Sequence, residues 1–253
     1  MPASAVRPVI EELRARIARL GRLAARTRRV LPFGVPEIDR RLPDGGLPLG
    51  ALHEIAGGGD GAVDGAAAAL FAAGIAARAG GRTLWCVTRR DLFAPGLAQA
   101  GLHPDRLIMV EAGDEKSLLA CLEEGLRHRG PACVVGEVSR LSMTASRRLQ
   151  LAAEEGGVTC LVIRRWRRPS EAAGFGEPTA SVTRWRVTAL PSAPLPVPGL
   201  GRARWLLELA RCRAGDSAAF EVEACDAEGR IALSAPLADG PSAQTGWRRG
   251  AVA

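Results

Sequence analysis

The chain has 253 residues, 47% of them hydrophobic and 24% charged, values of a globular domain with a buried core rather than of a disordered or fibrous chain. The formal charge is +7, carried almost entirely by arginine because Lys116 is the only lysine; such an excess suits an acidic partner, nucleic acid or an acidic protein surface, although a coding bias toward arginine gives the same balance. Cys86, Cys121, Cys133, Cys160, Cys212 and Cys225 form no C-x-x-C pair and are not spaced with His53, His103 or His128. They read as buried thiols in a reducing compartment, and no metal site is expected. No secretory leader opens the sequence and no window of about 18 apolar residues is expected, which points to a cytoplasmic protein without membrane contact.

In chain order, residues 5–29 place Val9, Leu13, Ile17, Leu20 and Ala24 at steps of three and four among eight arginines. This predicts an amphipathic helix with a basic outer face. Its apolar stripe either folds back on its own core or docks on a partner or a second copy, with Leu13, Ile17 and Leu20 as contacts. Leu31–Pro36 breaks the pattern, and Pro43–Pro48 is turn-rich. Apolar runs then fall at Leu52–Ala56, Thr83–Val87, Leu107–Val110, Ala132–Val135 and Val158–Ile163, with helical patterns at 66–79, 91–100, 115–129 and 142–155. Runs that do not alternate suit strands covered on both faces, and alternation of strand with helix predicts an α/β fold with a mainly parallel central sheet flanked by helices. Residues 164–180, rich in Arg, Gly and Pro, predict a mobile loop. Later strands alternate instead, at Val182–Val187, Trp205–Cys212, Phe220–Ala224 and Arg230–Leu233, with Asp226–Gly229 as a hairpin turn. The expected organisation is an N-terminal helix over 1–30, a core over 31–237 that includes C-terminal antiparallel strands, and a disordered tail over 238–253.

One segment carries a chemical signature. The strand Leu52–Ala56 enters a glycine cluster, Gly57, Gly58, Gly59, Asp60, Gly61 and Gly65, and an alanine-rich helix follows. That is the layout of a phosphate-binding loop, which needs a lysine for the β/γ-phosphates and a Ser or Thr for Mg²⁺ after its last glycine. Read from Gly57, Val63 holds the lysine position and Asp64 the Ser/Thr position; sliding to Gly65 gives Ala66 and Ala67. Asp64 is expected to cap the helix and take the N–H donors a phosphate would use. Two like charges near 4 Å cost roughly 4 kcal/mol at an effective dielectric of ~20, so Asp60 and Asp64 also oppose a triphosphate.

The stretch Phe33-Gly34, Ile38-Asp39 and Leu42–Ile55 resembles the entry to the core of RecA-type recombinases, and most closely the ImuA family of bacterial damage-induced mutagenesis cassettes. The segments Arg204–Arg213 and Glu223–Arg230 are similar to that family's C-terminal strands. The resemblance covers residues 31–236 and implies a RecA-like core. It places the Walker B carboxylate at Gly136, with Glu137 next door on the opposite face, and the catalytic acid near Arg89-Arg90. With the lysine also lost, it implies a protein that is not an enzyme and has no cofactor. It further implies a non-catalytic accessory of SOS translesion synthesis that binds ImuB, the inactive Y-family polymerase homologue, and the error-prone replicative-type polymerase subunit, with single-stranded DNA and RecA as further partners. The alternatives are a DNA-stimulated ATPase with a remodelled loop and a division inhibitor like SulA.

Two further candidates stand outside the loop. Arg164, Arg165, Trp166, Arg167 and Arg168 follow a strand whose loop, in recombinases, enters the DNA channel; the arginines can neutralise phosphates and the indole can stack on a base. The alternative is a solvated basic turn with Trp166 plugging the sheet edge. Trp247, beside Arg248 and Arg249, is a short docking motif or part of a passive tail. His53 and the Glu123-Glu124-Arg127 group read as structural, and no Ser–His–Asp set can be argued.

Overall fold

The computed structural model describes residues 29–59, 61–166, 172–192, 199, 201–213 and 215–234. The expected N-terminal helix, the tail over 238–253, and with them Leu13, Ile17, Leu20 and Trp247, lie outside the described residues. So do Asp60, Arg167 and Arg168.

The described elements are β1 (Val30–Leu31), α1 (Pro36–Asp39), β2 (Leu47–Pro48), β3 (Leu52–Gly57), α2 (Ala62–Ala79), β4 (Thr83–Val87) and α3 (Ala94–Gln99). They continue with β5 (Leu107–Glu111), α4 (Glu115–His128), β6 (Cys133–Val138), α5 (Met143–Gly156), β7 (Thr159–Arg164), β8 (Thr183–Leu190), β9 (Arg204–Cys212), β10 (Ala218–Glu223) and β11 (Ala232–Leu233). Nine strands form one sheet in the order β11-β10-β9-β8-β3-β7-β6-β4-β5, and β1 pairs with β2 apart from it. The ladders from β8 through β5 are parallel, and those joining β8, β9, β10 and β11 are antiparallel. The α/β architecture with added C-terminal antiparallel strands is therefore the one the sequence predicts.

Alternation along each strand feeds two cores. Ile55, Trp85, Val135, Leu161, Ile163, Trp185, Trp205 and Leu207 face α2. Leu52, Cys86, Val134, Cys160 and Val162 face α4 and α5. Small side chains along α2 let it lie close to the sheet. Gly74 is the tightest point, since a Cβ there would stand 2.4 Å from Cys225 Sγ. Phe71 projects from the helix into an aromatic cluster, its ring 5.8 Å from Phe33, 5.7 Å from Trp185 and 6.4 Å from Trp205. Aromatic pairs at these separations stabilise beyond the area they bury.

The boundaries moved for local reasons. The Asp114 carboxylate accepts the Ser117 N–H at 2.7 Å and caps α4, while Ser142 accepts from Ala145 at 3.2 Å and caps α5. The stretch 91–93 stays extended, and Phe93 rather than Asp91 opens α3. The helix α2 starts at Ala62, four residues before the predicted 66. It is also long and apolar enough by composition to cross a membrane, with half of that window buried in the core; the expectation that no such window exists fails here. The predicted loop 164–180 is only partly a loop: β7 runs to Arg164 and a 3-10 turn covers Ala173–Gly176, and Phe175 and Thr179 within it are buried. The predicted hairpin turn forms: the Asp226 carboxylate accepts the N–H groups of Glu228 and Arg230, and Gly229 takes φ +74.

Candidate functional site

The glycine loop joins β3 to α2 at the carboxyl ends of the parallel strands, where open α/β sheets place their ligands. It is held shut against its neighbours. Gly58 donates to Val187 O at 2.9 Å, and a Cβ on Gly58 would fall 1.7 Å from Thr188 Oγ1, so only glycine lets the loop lie on β8. Asp64 is the third residue of α2 and not its cap; the N-cap is Gly61, which has no side chain to offer. The expected role is corrected accordingly. The carboxylate turns out of the helix and bridges two other donors, Gly59 N–H at 2.8 Å and Ala189 N–H at 2.8 Å. It thus occupies a loop donor of the kind that would face a phosphate and ties the loop to β8. Val63, at the lysine position, is 69% exposed.

The Walker B comparison also needs correction. Strand β6 does not end at Val135 but runs to Val138. Gly136 faces α4, where a Cβ would stand 2.5 Å from Leu122 Cδ1. The residue that continues the Cys133–Val135 face toward α2 is Glu137. Its carboxylate is buried and spoken for: Trp85 Nε1–H donates to it at 2.9 Å and Arg165 at 2.6 Å. Arg165 also makes a bidentate pair with Asp91 at 2.9 and 3.0 Å. Burial works against its charge, but the Glu137 and Asp91 carboxylates outweigh burial and raise its pKa.

Arg164 is not a surface cation. It is 2% exposed, donates to Glu54 at 3.3 Å and to Ser139 O at 3.1 Å. Glu54 also accepts from Ser181 at 2.8 Å, Arg184 at 3.2 Å and the Thr179 hydroxyl. The Phe175 ring lies beneath the guanidinium groups of Arg164, Arg184 and Arg186 at 6.0, 5.0 and 5.7 Å. Burial lowers the Arg164 pKa more than Glu54 restores it. Of the two arginines read as phosphate contacts, Arg164 is enclosed, which removes it from any ligand surface, while Arg165 lines the cleft but is held by two carboxylates. Trp166 sets its ring edge-on to Phe175 at 5.7 Å.

Around the loop, Gly57, Gly59, Gly61, Ala62 and Gly65 share a cleft of about 480 Å³ with Arg89, Arg164, Arg165 and Trp166. Arg89, Arg165 and Trp166 also line an adjoining pocket of about 80 Å³ with Asp91, Glu115 and Glu137. Arg90, at the expected catalytic-acid position, pairs with Glu111. Arg89 makes no ion pair or hydrogen bond among the described residues. The buried hub of Glu54, Thr179, Ser181, Arg184 and Phe175 was missed in the sequence. Its one signal was the spacing of Arg184 and Arg186 about Trp185, which puts both arginines on one face of a strand. His53 is structural as expected, bonded to Thr183 Oγ1 at 2.7 Å and Pro48 O at 2.8 Å, and burial lowers its pKa to about 4.

No family model matches the chain. It is similar to the crystal structure of the RadB recombinase with a TM-score of 0.54 at 17% identity, covering 79% of this chain and 98% of that one; at that identity the likeness shows the fold. It is 43% identical over 208 residues to Protein ImuA of Caulobacter vibrioides strain NA1000 / CB15N, and equally to that of strain ATCC 19089 / CIP 103742 / CB 15. The match spans 78% of this chain and 84% of each relative. With that extent of identity on a RecA-like core, the chain belongs to the ImuA family.

Proposed function

We propose that this protein is a non-catalytic RecA-like accessory of damage-induced mutagenesis, working in the cytoplasm as a binding partner of ImuB and of the error-prone replicative-type polymerase subunit. Membership of the ImuA family supports the setting. The observation that carries the non-catalytic part is Asp64, whose carboxylate occupies Gly59 N–H and Ala189 N–H and closes the glycine loop onto β8. Three changes act together with it. No lysine reaches the loop, Glu137 is held by Trp85 and Arg165, and Arg89-Arg90 stands where a catalytic acid would polarise water. A nucleotide would have to displace a carboxylate from the loop and bind without the loop lysine.

The test is co-purification of the full chain with ImuB in nucleotide-free buffer, alongside phosphate release with and without single-stranded DNA. Association without nucleotide and no turnover above background are expected. No association, or turnover that needs the loop, rules this function out.

A further inference from the structure

Ile108 and Met109 are adjacent residues of β5, 45% and 43% exposed, and they point to opposite faces of the sheet. Ile108 shares its face with Val110, which packs on the α4 side, and Met109 shares its face with Leu107, which packs on the α2 side. An apolar side chain is therefore open on each face of the same edge. β5 is the last strand of the nine, and nothing pairs with its outer side among the described residues. The internal stretches outside the described residues follow β3, β7, β8 and β9, and none of those strands neighbours β5. Sheet edges are ordinarily guarded by lysine, proline or a bulge. Leu107–Glu111 has none of these, and its one charge, Glu111, is taken by Arg90 of the same chain.

One bond fixes which backbone groups are free. Ala112 N–H donates to Val87 O on β4 at 2.8 Å. Backbone groups alternate in direction along a strand, so those of Ile108 and Val110 also face β4. The N–H and C=O groups of Leu107, Met109 and Glu111 point outward. A second copy of β5, running antiparallel, satisfies all of them in one register. Met109 stands opposite Met109 of the second copy and Leu107 opposite its Glu111, each pair exchanging two hydrogen bonds. Ile108 then covers Val110 of the second copy on the α4 side, and the two Met109 side chains meet on the α2 side. No like charges meet, because Glu111 faces Leu107, and Arg106 is turned back onto Gly81 O and Ala77 O. A slip of two residues one way sets Glu111 against Asp105, and the other way sets Leu107 against Gly113, beyond the strand. The terminal stretches of the chain fit this edge less well. Residues 5–29 repeat at steps of three and four and residues 238–253 have few large apolar side chains, so neither has the alternation of a strand.

We infer that two copies of this chain pair through β5, antiparallel about a two-fold axis, so that one sheet runs through both. The contact uses the same residues on each copy and closes at two, so it builds a dimer and not a filament. It stands apart from the binding of ImuB proposed above.

The experiment is sedimentation velocity on the full chain from about 1 to about 100 µM, comparing the wild type with Met109→Pro, Ile108→Lys and Leu233→Lys. The Met109 N–H points outward, so proline there removes no bond from the chain's own sheet while it deletes the central bonds of the pair. Leu233 is the control, 39% exposed on β11 at the opposite edge. Urea midpoints check that each variant folds. The wild type is expected to show a reversible monomer–dimer equilibrium, weakened about tenfold or more by either β5 variant and changed less than about twofold by Leu233→Lys. A wild type that stays monomeric throughout overturns the inference. So does a dimer that a folded β5 variant keeps at wild-type strength, a dimer lost only with Leu233→Lys, or assembly that grows past two copies with concentration.

Discussion

At the residue scale, side chains around the glycine loop and the ends of the parallel strands are held in internal bonds. Asp64 is the clearest case, since both carboxylate oxygens hold backbone N–H groups from outside its own helix. Asp64→Ala removes the acceptor of an exposed and a half-buried N–H, which water can partly replace, and a loss of about 1 kcal/mol is expected from urea denaturation. Arg164 is buried opposite Glu54, so Arg164→Ala strands a carboxylate that Arg184 alone must balance; the expected loss is about 3–5 kcal/mol. A loss below about 1 kcal/mol at Arg164 contradicts the enclosed pair and returns this residue to the surface. His53 supplies a pH test. Unfolded, it binds a proton near pH 6.5 and folded only near 4. Between those values the unfolded state holds more protons, so stability falls as pH drops from about 6.5 to about 4 and this contribution then levels off. The loss amounts to about 3 kcal/mol. It is read as the part of the pH dependence of the urea midpoint that His53→Gln removes.

At the element scale, the legible features were those written in apolar residues. Strands β4, β6 and β7 were found because their predicted runs are largely apolar and unbroken, as strands covered on both faces require; β5 gave the same signal although, at the sheet edge, it leaves Ile108 and Met109 exposed, and β3 carries the buried His53 and Glu54 within its run. The turn at Asp226–Gly229 was legible because its residue types leave few alternatives. Polar residues hid the rest. Glu137 made β6 look as if it stopped at Val135, which put the Walker B comparison on the wrong face of the sheet. The N-terminal turn of α2 carries Gly61 and Gly65 about a single charge, so it passed for loop. Arg164 ends β7 with a charge that a sequence reading assigns to solvent, and nothing local announces that Glu54, 110 residues away, neutralises it. The corrected face makes a prediction. Gly136→Asp, which restores a carboxylate where alignment alone would put it, drives that side chain into Leu122 under α4. It is expected to destabilise by about 3 kcal/mol or more and to yield no hydrolysis. A stable variant with measurable turnover contradicts the assignment of faces.

At the scale of the whole molecule, the sheet, its flanking helices and the crevice at the carboxyl ends of the strands are those of a RecA-like core. Internal bonds occupy its groups: Asp64 holds the Gly59 N–H of the loop, Arg165 neutralises Glu137, and Glu111 takes Arg90. The proposed account therefore makes partner binding independent of nucleotide. The most direct measurement is the dissociation constant of the full chain for ImuB, titrated with and without saturating Mg-ATP. A constant unchanged within about twofold by ATP is the predicted result. Binding that appears only with ATP, or that tightens about tenfold or more, would contradict it, since no state of a closed loop would then be coupled to the partner.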